Sequence, residues 1–244
     1  MIYFFTDFGF AGPYVGQMKS AFYEIAPDSV IIDLMHDAPK FDPKASAYIL
    51  SALVDYLPQD SIIVGVVDPG VGNSSRRPIM IQADSYWFVG PDNGLFQHVV
   101  NKSTTVNCYE ISTDENISTS FHGRDVFAPA AAQLANYTVP VAKTINTNSL
   151  YEFNVPEDLA EVIYIDHYGN AMTGLYAHKV DKSTTLTIGD AHVKYARTFS
   201  SVKKGELFWY ENSIGLVEIS QNLHSAQNEL AIYIGMPVHI SKSG

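Results

Sequence analysis

The chain has 244 residues, with 15 Lys or Arg against 26 Asp or Glu, so its formal net charge is −11. This acidic balance argues against a general nucleic-acid-binding protein, which needs a basic face. The single cysteine, Cys108, excludes an internal disulfide and a cysteine-based zinc site, and no apolar run approaches the ~20 residues of a membrane span. Without a basic N-terminal leader, we expect a cytoplasmic protein.

The first half of the chain alternates short apolar runs with segments of helical spacing. The apolar runs predict strands at 2–5, 30–34, 61–67, 79–82 and 86–89, the last two forming a hairpin. Helical spacing and capping residues predict helices at 13–26, 42–56 and 126–136. Because such alternation is typical of a parallel or mixed sheet covered on both faces, we predict an α/β domain with a mostly parallel sheet over 1–145.

A polar connector separates this half from the rest of the chain, and we interpret 146–155 as a linker. Short apolar segments follow it, at 162–166, 184–188, 192–196, 206–210, 215–219, 230–234 and 237–240. Short strands at this spacing are typical of a small barrel or sandwich. The sequence therefore predicts a second, all-β domain over 156–244.

Polar turns that contain glycine lie at the ends of predicted elements of the first domain, following strands at 6–9, 68–72 and 91–94 and preceding a helix at 122–125. In open α/β sheets, ligands bind beyond the carboxyl ends of the strands. The turns therefore predict a ligand site at that edge of the sheet.

The turns carry four side chains with possible chemical roles. Asp68 ends an apolar strand, where a carboxylate is either functional or a cap of its own turn. Arg76 and the adjacent Arg77 are either anion-binding or solvated. His122 lies in a loop, where histidines are more often inert, but its polar neighbours favour a role. Asp125, in the same turn, is interpreted as a helix cap.

Other polar residues can likewise be interpreted either as ligand-binding or as structural. Asp7 could accept both hydroxyls of a ribose or cap a turn. Asp166 and Asn170 could bind an ammonium group, although a hairpin turn explains the same spacing, as it does for 212–215. A metal site built from Asp7, Asp68, Asp92 and His122 is conceivable but ranks below a metal-free site.

The ordered set of motifs resembles one known family. The motifs are Thr6-Asp7-Phe8-Gly9, Val67-Asp68-Pro69-Gly70-Val71-Gly72, Pro91-Asp92-Asn93-Gly94, Phe121-His122-Gly123-Arg124-Asp125, Asp166-x-x-Gly169-Asn170 and Asn212-Ser213-x-Gly215. The family is the S-adenosyl-L-methionine (SAM) hydroxide adenosyltransferases, or SAM hydrolases, which are related to the fluorinase and chlorinase. The resemblance implies an N-terminal α/β domain, a C-terminal β-barrel, and a homotrimer with active sites between subunits. The implied reaction converts SAM and water into adenosine and L-methionine, with no cofactor and no metal.

The resemblance also implies roles for particular residues. Asp68, Arg76 and His122 match the family's water-activating set, and Asp7 matches its ribose-binding aspartate. Phe41 stands where relatives place an aromatic near the sugar. The remaining residues assigned to substrate binding are Phe8, Asn93 and Phe121 in the first domain and, for the methionine end, Asp166, Asn170 and Ser213 in the second.

The chain departs from the family pattern in two places. The loop before Arg76 is one residue longer, so Arg77 stays a second candidate, and Ile214 replaces the arginine that halogenases carry beside the serine. Asp68, where the fluorinase has a tyrosine, favours hydrolase over halogenase, because a carboxylate repels a halide ion. A SAM- or adenosine-binding sensor without turnover, a SAM-dependent halogenase and a metal-dependent hydrolase stay open as alternatives.

Overall fold

The structure, a computed structural model, describes residues 1–73, 75–113, 118 and 120–241. The chain divides into two compact units, Met1–Phe153 and Asn154–Gly244. Among the described residues, no helix combines the length and the hydropathy that crossing a bilayer requires.

The first unit is built on a seven-stranded mixed sheet. Its strands are β1 (Ile2–Thr6), β2 (Ile31–Met35), β3 (Ile62–Val66), β4 (Pro78–Ala83), β5 (Tyr86–Pro91), β6 (Val106–Ile111) and β7 (Ala142–Ile145). They lie in the order β2-β1-β3-β5-β4-β6-β7. The pairs among β2, β1, β3 and β5 are parallel, and the remaining pairs are antiparallel. The α/β prediction is confirmed, including the β4–β5 hairpin, but the sheet is mixed rather than mostly parallel, because the hairpin and the two strands beyond it add three antiparallel pairs to the three parallel ones.

The parallel pairing fixes where the polar turns meet. Thr6 at the end of β1 pairs with Val66 at the end of β3, and β3 runs parallel to β5. The carboxyl ends of parallel strands share one edge of a sheet. The turns that follow β1, β3 and β5 therefore lie along the same edge, as the sequence predicts.

Helices of the first unit pack against this sheet. They are α1 (Tyr14–Tyr23), α2 (Pro43–Val54), α3 (Gln97–Lys102) and α4 (Ala128–Ala135). α2 begins after Asp42, whose carboxylate accepts the Ala45 N–H at 2.9 Å. Between strand and helix, the fully buried rings of Phe4 and Phe22 meet edge to face at 6.3 Å.

The segment before α4 differs from the prediction. A π-helical turn, Gly123–Phe127, occupies the start of the predicted 126–136 helix. Asp125 is not a helix cap, because its carboxylate pairs with Arg124 and accepts the backbone N–H of Ser118. The hydrogen bonds from Arg124 lower the pKa of Asp125.

Most of the predicted linker is bonded to the first unit. Ser149 accepts hydrogen bonds from Arg77, and the Tyr151 N–H donates to Asp92 at 2.8 Å. The amide of Gln97 exchanges hydrogen bonds with the backbone of Phe153 at 2.6 and 3.0 Å. Residues of this polar segment thus form hydrogen bonds with side chains of the first unit.

The second unit is a curled sheet of short strands. They are β8 (Leu159–Ile165), β9 (Ala171–Tyr176), β10 (Thr185–Ile188), β11 (Ala191–Tyr195), β12 (Leu207–Glu211), β13 (Leu216–Gln221) and β14 (Val238–Ser241), in the order β14-β10-β11-β12-β13-β9-β8. The two edges approach each other, because the Val162 N–H donates to Met236 O at 2.9 Å and Glu161 bridges Pro237. This near closure confirms the barrel prediction.

The predicted strand at 230–234 is wrong. A short helix, α5 (Ala226–Leu230), occupies its start, and the chain leaves this helix through Ala231 in the left-handed conformation. Ser225 caps the helix by accepting the Asn228 N–H at 3.1 Å. The capping signal at Ser225 therefore outweighs the apolar run that follows.

Candidate functional site

A cavity of about 430 Å³ opens in the first unit beside the ends of β1 and β3. Its lining includes six predicted site residues: Asp7, Phe8, Phe41, Asp68, Phe121 and His122. The volume is within the usual range for small-molecule sites. Three separate turns of the sequence therefore supply one concave surface.

Asp68 contributes a well-enclosed carboxylate to this cavity, with a side chain only 5 % exposed. Its Oδ1 accepts the backbone N–H of Gly70 at 3.2 Å and pairs with the Arg76 guanidinium. A Cβ at Gly70 would lie 2.8 Å from Cζ of Arg76, so a larger residue there would make the guanidinium move from its present position. No hydrogen bond from the described residues reaches Oδ2, so this oxygen can accept one from a ligand or water.

The two neighbouring arginines have different partners. Arg77 hydrogen-bonds to Asp92 through Nε at 2.9 Å and also contacts Ser149, whereas Arg76 pairs with Asp68. Asp92, like Asp68, is almost fully enclosed. Arg76 does not itself line the cavity, but its pairing with a lining carboxylate favours Arg76 over Arg77 as the functional arginine.

His122 precedes the π-helical turn Gly123–Phe127 and lines the cavity. Its ring meets Phe127 edge to face at 6.4 Å, and no described residue hydrogen-bonds to its ring nitrogens. π-Helical turns occur frequently at functional sites. Phe127 therefore packs against the imidazole, and the ring nitrogens can form hydrogen bonds with a ligand or water.

Asp7 is held by a distant segment of the chain. Its Oδ2 accepts the backbone N–H of Phe41 at 3.0 Å. Burial raises the pKa of Asp7, and the nearby charge of Asp68 raises it further. Phe41 itself has a φ of 60° and a side chain that is largely exposed. A bulky residue in this strained conformation is a mark of a functional position.

Aromatic side chains form one wall of the cavity. The rings of Phe8, Tyr14 and Phe121 contact one another pairwise, with centroids 5.5 to 5.8 Å apart. Tyr14 was absent from the predicted site, because its helical spacing indicates only a core-facing residue of α1. The rings are inclined to one another by 58 to 88°, so they form an angled apolar wall whose faces and edges can contact a nucleobase or sugar.

Asn93 lies outside this lining. Its side chain is buried, donates to Val67 O at 2.8 Å, and accepts the Leu95 N–H at 3.3 Å. The amide thus ties the turn after β5 to the end of β3, directly before Asp68. These contacts favour a supporting role over the predicted contact with substrate.

The second unit has a cavity of its own, of about 620 Å³, lined by Asp166 and Asn170. The Asp166 carboxylate accepts the backbone N–H groups of Tyr168 (2.8 Å) and Asn170 (2.9 Å), as well as the Asn170 amide (2.8 Å). Ser213 is exposed in the turn after β12 and is not part of this lining.

Aromatic residues that sequence reasoning missed also line the second cavity, namely Tyr168, Phe199 and Tyr210. The Tyr210 hydroxyl donates to Glu218 at 2.6 Å, and Asn212 donates to the same carboxylate at 3.0 Å. Burial raises the pKa of both Tyr210 and Glu218. Glu218 lies behind Tyr210 and does not line the cavity, which therefore combines aromatic faces with one carboxylate, Asp166, a combination suited to an ammonium group.

Within the described ranges, no three His, Cys, Asp or Glu side chains are grouped closely enough to hold a metal ion. Asp92, one of the four ligands considered from the sequence, is instead paired with Arg77.

Two family models match the chain. Residues 2–144 match the SAM hydroxide adenosyltransferase N-terminal domain, and residues 160–239 match the C-terminal domain. An (R)-S-adenosyl-L-methionine hydrolase of Thermus thermophilus is 35% identical over 98% of both chains. A fluorinase of Actinopolyspora mzabensis is 21% identical over all of this chain and 97% of its own. A crystal structure of an uncharacterized conserved protein from Thermotoga maritima superposes with a TM-score of 0.89 at 30% identity, covering 99% of this chain and all of that one.

Proposed function

The chain belongs to the SAM hydroxide adenosyltransferase family, and from this premise we propose a mechanism by which it hydrolyses SAM to adenosine and L-methionine. The observation that carries the mechanism is that the enclosed carboxylate of Asp68, which pairs with Arg76, lines the same cavity as His122 and Asp7.

The reaction is a displacement at the C5′ carbon of SAM. The oxygen of water forms a bond to C5′, the C5′–S bond breaks, and its electron pair returns to sulfur as a neutral thioether. The sulfonium is already a good leaving group, so the protein does not have to protonate it. What the site must supply is a positioned nucleophile and an acceptor for the proton that water loses.

Asp68 and His122 supply that acceptor. Oδ1 of Asp68 is occupied by Gly70 and Arg76, which leaves Oδ2 to hold and orient the water. The imidazole of His122, with no hydrogen bond from the described residues, accepts the proton. Arg76 stays protonated and cannot act as a base, so its role is to stabilise the developing hydroxide.

The other cavity residues bind the nucleoside. Asp7 accepts hydrogen bonds from the ribose hydroxyls, and Phe8, Phe41 and Phe121 contact the sugar and base. For the methionine end we propose Asp166, Asn170 and Ser213, with Asn170 and Asp166 beside the aromatic wall of the second cavity. We further propose a homotrimer whose sites are completed by a neighbouring subunit; the support for this assembly is the family resemblance.

The two carboxylates of the cavity, Asp68 and Asp7, favour water over halide as the nucleophile. Asp68 is nearly enclosed and Asp7 is close enough to feel its charge. A chloride or fluoride ion in the same cavity would be repelled by both groups. We therefore propose a metal-independent hydrolase without a cofactor.

The test is a product assay on the full chain. Chelator-treated protein is incubated with SAM in halide-free buffer, with and without added chloride, and adenosine and methionine are measured by chromatography. Equal amounts of both products, unchanged by chelator and chloride, are expected. A chlorinated nucleoside would place the protein with the halogenases, loss of turnover after chelation would require a metal, and bound adenosine without turnover would indicate a sensor.

A further inference from the structure

A fully buried histidine lies behind the turn that carries Asp7. The side chain of His36, which directly follows β2, has no exposed surface. Its Nδ1 lies 2.8 Å from the Thr6 hydroxyl, and its Nε2 lies 2.9 Å from Oδ1 of Asp33. Asp33 also pairs with Lys19 at 2.7 Å. The mechanism above uses none of these residues.

The hydrogen bonds assign a direction to this chain of groups. The Asp33 carboxylate can only accept, so Nε2–H of His36 donates to it. In the neutral imidazole Nδ1 is then the acceptor and receives the Thr6 hydroxyl proton, while the Thr6 oxygen also accepts the backbone N–H of Phe8 at 3.3 Å. Burial raises the pKa of Asp33, but the hydrogen bonds of Lys19 and His36 outweigh it and lower the value, which keeps the carboxylate ionised at neutral pH.

Backbone hydrogen bonds connect the segment that contains His36 to the residues on either side of Asp7. The Gly9 N–H donates to His36 O at 2.6 Å, and the Ala38 N–H donates to Thr6 O at 3.1 Å. Asp7 is thus flanked on both sides by residues bonded to the 36–38 segment. Its own carboxylate is bonded to Phe41, a few residues further along.

We propose that Thr6, His36 and Asp33 form a positioning unit for Asp7, and that this unit sets the affinity for the nucleoside part of SAM rather than the rate of hydrolysis. The proposal rests on the function proposed above. Thr6 is itself fully buried, so it contacts neither substrate nor water and acts only through the turn.

The test removes one hydrogen bond at constant shape. Thr6→Val lacks the hydroxyl and leaves Nδ1 of His36 unpaired in the interior, whereas Thr6→Ser keeps the hydroxyl. We expect Thr6→Val to raise the KM for SAM about tenfold, equivalent to ~1.4 kcal/mol, with kcat changed less than about twofold. Thr6→Ser is expected to restore most of the affinity. Calorimetric titration with adenosine should show the same loss, because adenosine carries the ribose.

The chain contains a matched control. In the second unit, the Thr187 hydroxyl lies 3.0 Å from Nδ1 of His192 on an exposed surface. Thr187→Val removes the same kind of hydrogen bond and should leave KM and adenosine affinity unchanged. If Thr6→Val does not fold, Asp33→Ala tests the proposal in its place, because the Asp33 side chain is 35% exposed and its loss opens no core cavity. We expect Asp33→Ala to raise the KM for SAM at least threefold.

Either of two results would overturn the proposal. One is an unchanged KM and adenosine affinity in a folded Thr6→Val or Asp33→Ala variant, which would make the unit merely structural. The other is a loss confined to kcat. Failure of the wild-type chain to release products from SAM would instead refute the proposed function, and the adenosine titrations would still test the positioning unit.

Discussion

Replacing Asp68 by Asn should remove most of the hydrolytic activity and little of the substrate affinity. Asparagine keeps the volume of the side chain, and its oxygen can still accept from Gly70 and Arg76. Its amide nitrogen, however, takes the place of Oδ2 and presents a donor where the mechanism needs an acceptor. Arg76 keeps a hydrogen-bond acceptor but loses the negative charge that balances its own.

The size of the effect follows from the role. A positioned base contributes about 10²–10⁴-fold to a rate, and each factor of ten corresponds to ~1.36 kcal/mol. Because the Asp68 side chain is almost fully enclosed, bulk water cannot take over its function. We therefore expect kcat to fall about 10³-fold, or ~4 kcal/mol, while the KM for SAM stays within about threefold.

The assay is the release of adenosine from saturating SAM, and the structure supplies its control. Asp92 pairs with Arg77 much as Asp68 pairs with Arg76, with 6 % and 27 % of the side chains exposed against 5 % and 25 %. Asp92→Asn should lower stability but leave kcat within about threefold. The reasoning is refuted if a folded Asp68→Asn variant keeps more than a tenth of the wild-type kcat, or if Asp92→Asn loses as much activity.

Three further predictions concern the turn, the core and the second cavity. Gly70→Ala places a Cβ 2.8 Å from Cζ of Arg76 and should reduce kcat about tenfold by displacing the guanidinium; unchanged steady-state kinetics would contradict this. Phe22→Ala empties a fully buried position and should lower the free energy of unfolding by ~3–5 kcal/mol in urea titrations. Burial raises the pKa of Glu218 above its ordinary 4.5, so its contribution to stability is fully present below pH 4.5 and is lost as pH rises through the folded-state pKa. As pH rises through that pKa, the free energy of unfolding of the wild type should fall relative to that of Glu218→Gln. Parallel pH profiles of the free energy of unfolding for the two proteins would contradict this prediction.

The sequence alone predicts much of the first unit and part of its site. The apolar runs that become β1 and β3 are fully buried, and each is followed by a polar turn with glycine. Such turns are visible in the sequence because strand ends and glycine positions are local properties of the chain. The placement of Asp7 and Asp68 at one edge follows from these turns once β1 and β3 are parallel, whereas His122 reaches the same cavity from the π-helical turn before α4, which the strand pattern does not predict.

Elements with weaker local signals escape sequence reasoning. β7 consists of only four residues, and a polar composition hides its pairing with β6. The 230–234 segment is apolar enough to predict a strand, yet a helix that begins at the Ser225 cap ends there at the left-handed Ala231. The pairing of β7 depends on residues distant in the chain, which a local pattern does not contain, whereas the end of the helix at Ala231 is a local feature that the apolar run conceals.

The sequence by itself determined the composition of the site, and only the tertiary structure decided which groups are partners. Arg76 and Arg77 are adjacent and chemically identical, but they pair with carboxylates on different turns. Thr6 and His36 are 30 positions apart, and nothing in either segment indicates their hydrogen bond. The physical reason is that a residue's type and neighbours fix its local conformation, whereas its partner is fixed by strand order and register, which place distant segments side by side.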